Sequence, residues 1–283
     1  MSDSSRLKKQ NQPKKTSFKR MVTMLILFFT IVVAGISLGF LGATLQTLPS
    51  VEDVKPAATS QIYDVRGNLI TSVHSEENRL PIHLGDMPKN LQNAFVAAED
   101  VRFYSHHGVD PRGILRALWV NITHQGVAEG GSTITQQLAR NAFLTQDRTL
   151  KRKIKEVLLA FKIEQTYTKP EILEMYMNQI YFGQGAYGVQ TAAQTYFGVD
   201  AKNLSLGQAA MLAGVPNSPN YLNPFNNLEA AKARQATVLD QMAKYGYITE
   251  AQAKEAKEAP LHLQSKAKAS KTNPIFSYFT DYV

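Results

Sequence analysis

The residues able to do chemistry fall in five short segments, where polar side chains and glycines interrupt otherwise regular helical patterns. The first carries Glu99, Asp100, Phe103, His106 and Gly108. Its two acids end an apolar pattern of Leu91, Ala94, Phe95 and Ala98. A carboxylate set against Phe95 and Phe103 loses hydration, so its pKa rises into the range that suits a general base near neutral pH. The alternative is that Glu99 and Asp100 merely terminate the helix and face water. The second segment runs Gly130-Gly131-Ser132-Thr133 into Gln137, Arg140 and Asn141. Glycines and hydroxyls ahead of a helix gather free backbone N–H groups at its positive end, an anion site that those three side chains can reach. An ordinary hydroxyl-capped helix start reads the same way.

In the third segment Arg148, Lys151, Arg152, Lys153 and Lys155 precede Glu156. Such a run is either a solvated face or, with Arg152 and Glu156 one turn apart and Ile154 and Leu158 marking the buried side, a held guanidinium suited to phosphate. The fourth holds Glu174, Tyr176 and Asn178, and the fifth runs from Ala209 to Pro219; both are open to a purely structural role. A carboxylate base beside a phosphate clamp points to transfer from a phosphate-linked donor.

Those segments need elements to place them. Ser60–Val73 sets two β-prone runs about Arg66-Gly67-Asn68, the pattern of a hairpin. From there the periodicity is helical. Asp86 and Pro88 open a helix that ends near Glu99, and Asp110-Pro111 opens another with Ile114, Leu115, Leu118, Trp119 and Ile122 on one face. Ser132 is placed to cap a third helix through Ile134 and Leu138, and Leu150 to Phe161 marks a fourth. The capping box Thr168-Lys-Pro-Glu171 opens a fifth through Ile172, Leu173, Tyr176 and Ile180. Further helices are expected at 188–197, 205–214, 228–245 and 249–258. The fold class is mainly α with a small β element.

Ahead of all this stands a charge-free run, Met21–Leu45. At 1.5 Å per residue it makes a helix of about 37 Å, long enough for a hydrocarbon core of about 30 Å. It is too long for a cleaved signal peptide and has no good cleavage site after it. Seven basic residues against Asp3 alone give residues 1–20 a charge of +6, out of a net +8 for the 283 residues. The basicity therefore belongs to a tail, which removes the main support for nucleic-acid binding and places the N-terminus in the cytoplasm by the positive-inside rule. The expectation is one transmembrane signal anchor in the cell membrane, with everything after it on the extracytoplasmic side. The absence of cysteine excludes disulfides, thiol nucleophiles and Cys-held metals.

Three patterns are set aside. Gly183-Gln-Gly185-Ala-Tyr-Gly188 fits a dinucleotide loop, but it follows a helix and lacks the later acid. Ser265-Lys-Ala-Lys268 lies in a polar, low-complexity stretch with no K-T-G after it. His106-His107 are adjacent, so they point apart and chelate poorly. No nucleotide, flavin or haem is expected.

The combination E-D-x-x-F-x-x-H-x-G, G-G-S-T-I-T-Q-Q-L, R-K-x-x-E and I-L-E-x-Y-x-N, in this order, resembles the motifs of the family 51 glycosyltransferases, the peptidoglycan polymerases. With its anchor, the chain is similar to the N-terminal part of class A penicillin-binding proteins, in wording nearest the 1A type. The resemblance implies a lysozyme-like, mostly helical domain that polymerises lipid II and releases polyprenyl diphosphate. It implies Glu99 as the base on the acceptor hydroxyl and Glu156 as a second essential glutamate near the departing diphosphate. Arg140, Arg152 and Lys153 would clamp the phosphates, with Ser132, Thr133, Gln137 and Asn141 around them. Asp100, Phe103 and His106 would support the base, and Asn178 would belong to the substrate site. Arg140 stands where many members have lysine. A divalent cation, Mg²⁺ or Mn²⁺, is implied with no ligand set legible.

The partners implied are lipid II, the growing lipid-linked glycan, the bilayer, and cell-wall synthesis or division proteins. The expected organisation is a cytoplasmic tail (1–20), the anchor (21–45), a linker with the hairpin (46–75) and the glycosyltransferase domain (76–246). A C-terminal helix and linker (247–283) would lead toward a transpeptidase domain that the 283 residues do not contain, so neither cross-linking nor β-lactam acylation is expected. A lysozyme-like glycan-cleaving enzyme and a non-catalytic cell-wall scaffold are the competing readings.

Overall fold

The computed structural model describes residues 15–52, 60–63, 66, 69–73, 78–123, 130–144, 147 and 149–265. The chain divides into two compact units, Met1–Leu48 and Pro49–Val283. The first holds α1 (Lys15–Gln46), where Leu25, Phe28, Phe29, Ile31 and Ile36 are exposed. Among the described residues no helix is long and apolar enough to cross a membrane.

In the second unit β1 (Ser60–Tyr63) and β2 (Leu69–Val73) pair antiparallel, from Ser60 opposite Val73 to Tyr63 opposite Leu69, with a bulge at Ile62/Tyr63. This is the expected hairpin; its turn residues Gly67 and Asn68 lie outside the described residues. A second pairing was not expected. β3 (Asn78–Arg79) lies parallel to β4 (Ala186–Tyr187), a contact between distant segments that neither run announces.

The helices form where their caps and periodicity put them. They are α2 (Lys89–Glu99), α3 (Pro111–Thr123), α4 (Ile134–Phe143), α5 (Leu150–Thr166) and α6 (Lys169–Gln179). After them come α7 (Val189–Phe197), α8 (Leu206–Gly214), α9 (Leu228–Lys244) and α10 (Glu250–Glu258). Thr168 opens α6 as expected, with Glu171 Oε2 accepting from both its N–H (2.7 Å) and its hydroxyl (2.7 Å).

The cap of α4 is corrected. Thr133, not Ser132, takes that place: its hydroxyl accepts from Gln136 N (3.1 Å) while Gln136 Oε1 accepts from Thr133 N (3.0 Å). The same hydroxyl donates to the Gly108 carbonyl (2.6 Å), and this distant bond decides between two adjacent capping residues.

α8 is apolar almost all round and lies buried between α2 and α9. Phe95 of α2 sits in the same core, edge-on to Tyr176 (6.2 Å between centroids) and Phe182 (6.0 Å). α3 is different: Gly113 and Ala117 face inward, while Leu115, Leu118, Trp119 and Ile122 are exposed, Trp119 by 70%. The glycine loop after α6 brings backbone against backbone. A Cβ at Gly183 would meet the Pro219 carbonyl oxygen at 2.7 Å, and one at Gly188 the Asn178 carbonyl oxygen at 2.7 Å, both at positive φ. These glycines have a packing reason to be where they are.

Candidate active site

α2 ends by carrying Glu99 into the wall of a cavity of about 620 Å³. The residue is half-buried. Its Oε2 accepts from Gln137 Nε2 (2.8 Å), and its Oε1 is buried with no hydrogen-bond partner among the described residues. Burial pushes the Glu99 pKa above the ordinary carboxylate value; the Gln137 bond and the charges of Arg234 and Arg140 oppose this, and Asp100 adds to it. A carboxyl so placed takes a proton more readily than one in water.

Asp100, the next residue, is used differently. Its carboxylate lies 2.9–3.0 Å from His106 Nε2 and accepts from Ile134 N (3.1 Å) in the first turn of α4, where the helix dipole favours a negative charge. Asp100 thereby fastens the end of α2 to the start of α4, the helix that presents Gln137 to Glu99. Phe103 is fully buried beneath this corner, edge-on to His106, with the Lys169 ammonium 4.4 Å from its ring centre. The loop through Gly108 passes so near α5 that a Cβ there would stand 2.9 Å from the Ala160 carbonyl oxygen, at a φ of +84°.

α5 supplies the cations. Glu156 is 1% exposed and holds two of them: Oε2 accepts from Arg152 Nη1 (3.3 Å) and Oε1 from the Lys153 ammonium. Lys153 also donates to Ser132 Oγ (2.9 Å), and Ser132 lines the cavity. The expected Arg152–Glu156 pairing is present, and Lys153 joins it. Arg140 and Gln137 also line the cavity.

A family model described as Transglycosylase matches residues 66–243 of this sequence, most of the chain. The chain belongs to the transglycosylase family. It is a peptidoglycan glycosyltransferase domain of the penicillin-binding protein kind. It is 49% identical over 208 residues to penicillin-binding protein 1A of Escherichia coli, covering 74% of this chain and 24% of that one. Penicillin-binding protein 1A of Aquifex aeolicus is 46% identical over 82% of this chain and 31% of its own. Penicillin-binding protein 1F of Bacillus subtilis is 40% identical over 95% of this chain and 37% of its own. The chain thus spans about a quarter to somewhat over a third of these relatives.

Within this transglycosylase domain the expected site residues separate into two groups. Glu99, Asp100, Ser132, Gln137 and Arg140 line one cavity, and Lys153 reaches it through Ser132. The others stand apart from the lining. Thr133 is buried as a cap, and Asn141 is exposed, its Oδ1 3.5 Å from Arg140 Nε. Asn178 clasps the backbone of Ile82, accepting from its N–H (3.0 Å) and donating to its carbonyl (2.9 Å). Arg148 lies outside the described residues.

The far wall was absent from the sequence reading. α9 sets Arg234, Thr237, Gln241 and Lys244 on the cavity, and α3 adds Arg116. Buried Arg234 Nε and Gln241 Oε1 have no hydrogen-bond partner among the described residues. The α9 residues stand at i, i+3, i+7 and i+10, beside the buried stripe Ala231, Val238, Leu239 and Met242. That polar stripe was visible, but without a partner wall it reads as a solvated face.

Among the described residues no group of three or more His, Asp or Glu side chains stands close enough to hold a metal ion. Asp100 is engaged with His106 and Ile134, and Glu156 with two cations. These residues do not fit a protein-held divalent cation, and no step of the reaction below runs through one.

Proposed function

We propose that the domain polymerises lipid II by a single inverting displacement with Glu99 as general base. The observation that carries this reading is the Glu99 carboxyl itself, its pKa raised by burial, on the wall of a cavity lined by Arg116, Arg140, Arg234 and Lys244. The acceptor's 4-hydroxyl gives its proton to Glu99 while its oxygen attacks C1 of the growing chain. The bond from C1 to the diphosphate oxygen breaks, its electron pair leaves with polyprenyl diphosphate, and configuration at C1 inverts. Arg140, Arg152 and Lys153 are the side chains assigned to the diphosphate, because guanidinium and ammonium groups match its charge. In this reading Glu156 acts by position. Tied to Arg152 and Lys153, it orients both, Lys153 reaching the cavity through Ser132, rather than moving a proton.

The anchor belongs to the same reading. Its support is the charge-free run Met21–Leu45 within a helix that exposes Leu25, Phe28, Phe29, Ile31 and Ile36, a pattern that needs apolar surroundings. The exposed apolar face of α3 is assigned to the acyl region of the bilayer on the same ground, since the substrate carries a polyprenyl tail.

The test is polymerisation of purified lipid II by the whole chain in detergent, beside a Glu99→Gln variant. Long glycan from the parent and a loss of about 10²–10⁴ in rate for the variant are expected. Equal rates would remove the base from Glu99. Soluble fragments released from preformed glycan, with no polymer made, would favour the lysozyme-like cleaving enzyme instead.

A further inference from the structure

Glu99 has one hydrogen-bond donor among the described residues, the Gln137 side-chain amide, and that amide is itself held from behind. The Tyr176 hydroxyl, on α6, lies 3.2 Å from Gln137 Oε1. Tyr176 is 1% exposed and its ring is locked edge-on against Phe95, so the hydroxyl has little freedom to turn elsewhere. We propose that Tyr176 is a positioning residue for the base: by donating to Gln137 Oε1 it turns the amide so that its NH₂ faces Glu99. The inference rests on the reading of Glu99 as the base.

The chemistry of an amide makes this orientation matter. Gln137 offers a carbonyl on one side and an NH₂ on the other, whereas an ionised carboxylate only accepts. With NH₂ toward Glu99 the amide stabilises the charged base. With the carbonyl toward Glu99 it would stabilise the protonated acid and repel the carboxylate. A phenol donating from behind selects the first arrangement; a bare ring selects neither. When Glu99 has taken its proton, the amide can reverse, because the phenol can accept as well as donate. The chain Tyr176–Gln137–Glu99 is thus set for the ionised base and able to relax as the proton arrives. The other charged and titratable groups facing Glu99 are Asp100 at the end of α2, Arg140 on α4 and Arg234 on α9, with Arg116 of α3, Lys244 of α9 and Tyr245 just after it also on the cavity wall. None of these touches the Gln137 carbonyl in the described contacts.

The test is the pH dependence of kcat/KM for lipid II polymerisation by the whole chain, in a double-mutant cycle of Tyr176→Phe and Gln137→Ala. Tyr176→Phe keeps the ring packing, so its melting temperature should stay near the parent's. Its acid limb should move up by about 0.5–1 pH unit, a loss of about 3–10-fold below the limb, the scale of one neutral hydrogen bond. Gln137→Ala should move the limb the same way. In that background Tyr176→Phe should add nothing, since residues acting through one bond are not additive. An unmoved limb in Tyr176→Phe, or additive shifts, overturns the proposal. Should Tyr176→Phe fail to fold, 3-fluorotyrosine placed at 176 keeps the ring and makes a stronger donor. It must then move the limb down, and an upward or absent shift overturns the proposal. Failure of the base reading looks different: Glu99→Gln would retain the parent's rate whatever the cycle shows.

Discussion

Glu99 shows how a single side chain sets function against stability. Its pKa in the fold is raised above the ordinary value of 4.5, so the folded chain holds the proton more tightly than the unfolded one. The linkage sign follows. The contribution of Glu99 to stability is fully present below the unfolded value and is lost as pH rises through the folded value. At neutral pH, above the unfolded value, Glu99 therefore costs stability relative to acid pH, and Glu99→Gln should melt at a higher temperature than the parent. Near pH 4, where the parent's carboxyl is largely neutral in both states, the two should melt alike. Thermal scans at both pH values check this, and equal melting at neutral pH would count against a buried, raised Glu99. The neighbouring residues show where local sequence stops being informative. Glu99 and Asp100 read alike as acids at a helix end. Both line the cavity, but Glu99 meets Gln137 while Asp100 is bound to His106 and Ile134, and only these tertiary contacts separate the two. Asn178 stands in a motif with Glu174 and Tyr176, yet its amide holds the Ile82 backbone.

At the scale of elements, the helices were legible because their signals are local. Asp110-Pro111 and Thr168-Lys-Pro-Glu171 open helices within a residue of where their caps predict, and Gly198 ends α7 in the left-handed conformation that glycine permits. The pairing of β3 with β4 was not legible, since two residues at 78–79 carry no sign of a partner at 186–187. The Gly130–Ser132 approach read as an anion site, and it does deliver Ser132 to Lys153, but the cap itself fell to Thr133 through its bond to Gly108. Gly108 is where three elements meet, its carbonyl bound from the start of α4 and its Cα against α5. Gly108→Ala should cost about 1–3 kcal/mol from the positive φ alone. That corresponds to roughly 2–4 °C of melting temperature for each kcal/mol in a domain of this size. The contact with Ala160 adds to it, and a calorimetric scan showing no loss would contradict the close approach. Which face of α3 turns outward was also beyond local reading, because an apolar stripe looks the same whether it meets a core or a lipid.

For the molecule as a whole, that outward face can be read directly. Trp119 is the only tryptophan in the chain and is 70% exposed on α3. In vesicles carrying the whole chain, its fluorescence should be quenched by phospholipids brominated on their acyl chains. Quenching by an aqueous agent alone would place α3 in water and sink its assignment to the bilayer. The assembly of the cavity carries a separate consequence. Glu99 stands early in the domain, while the wall opposite it comes from α9, and α2 and α9 both pack on α8. A chain emerging from its ribosome in sequence order therefore exposes Glu99, the proposed base, long before α8 gives α2 a core and Arg234 closes the far side. Until then Glu99 is an ordinary carboxylate in water. On the proposed reading the site is completed late in synthesis, so a nascent chain stalled before Leu228 carries every motif but lacks the α9 wall and should not polymerise lipid II.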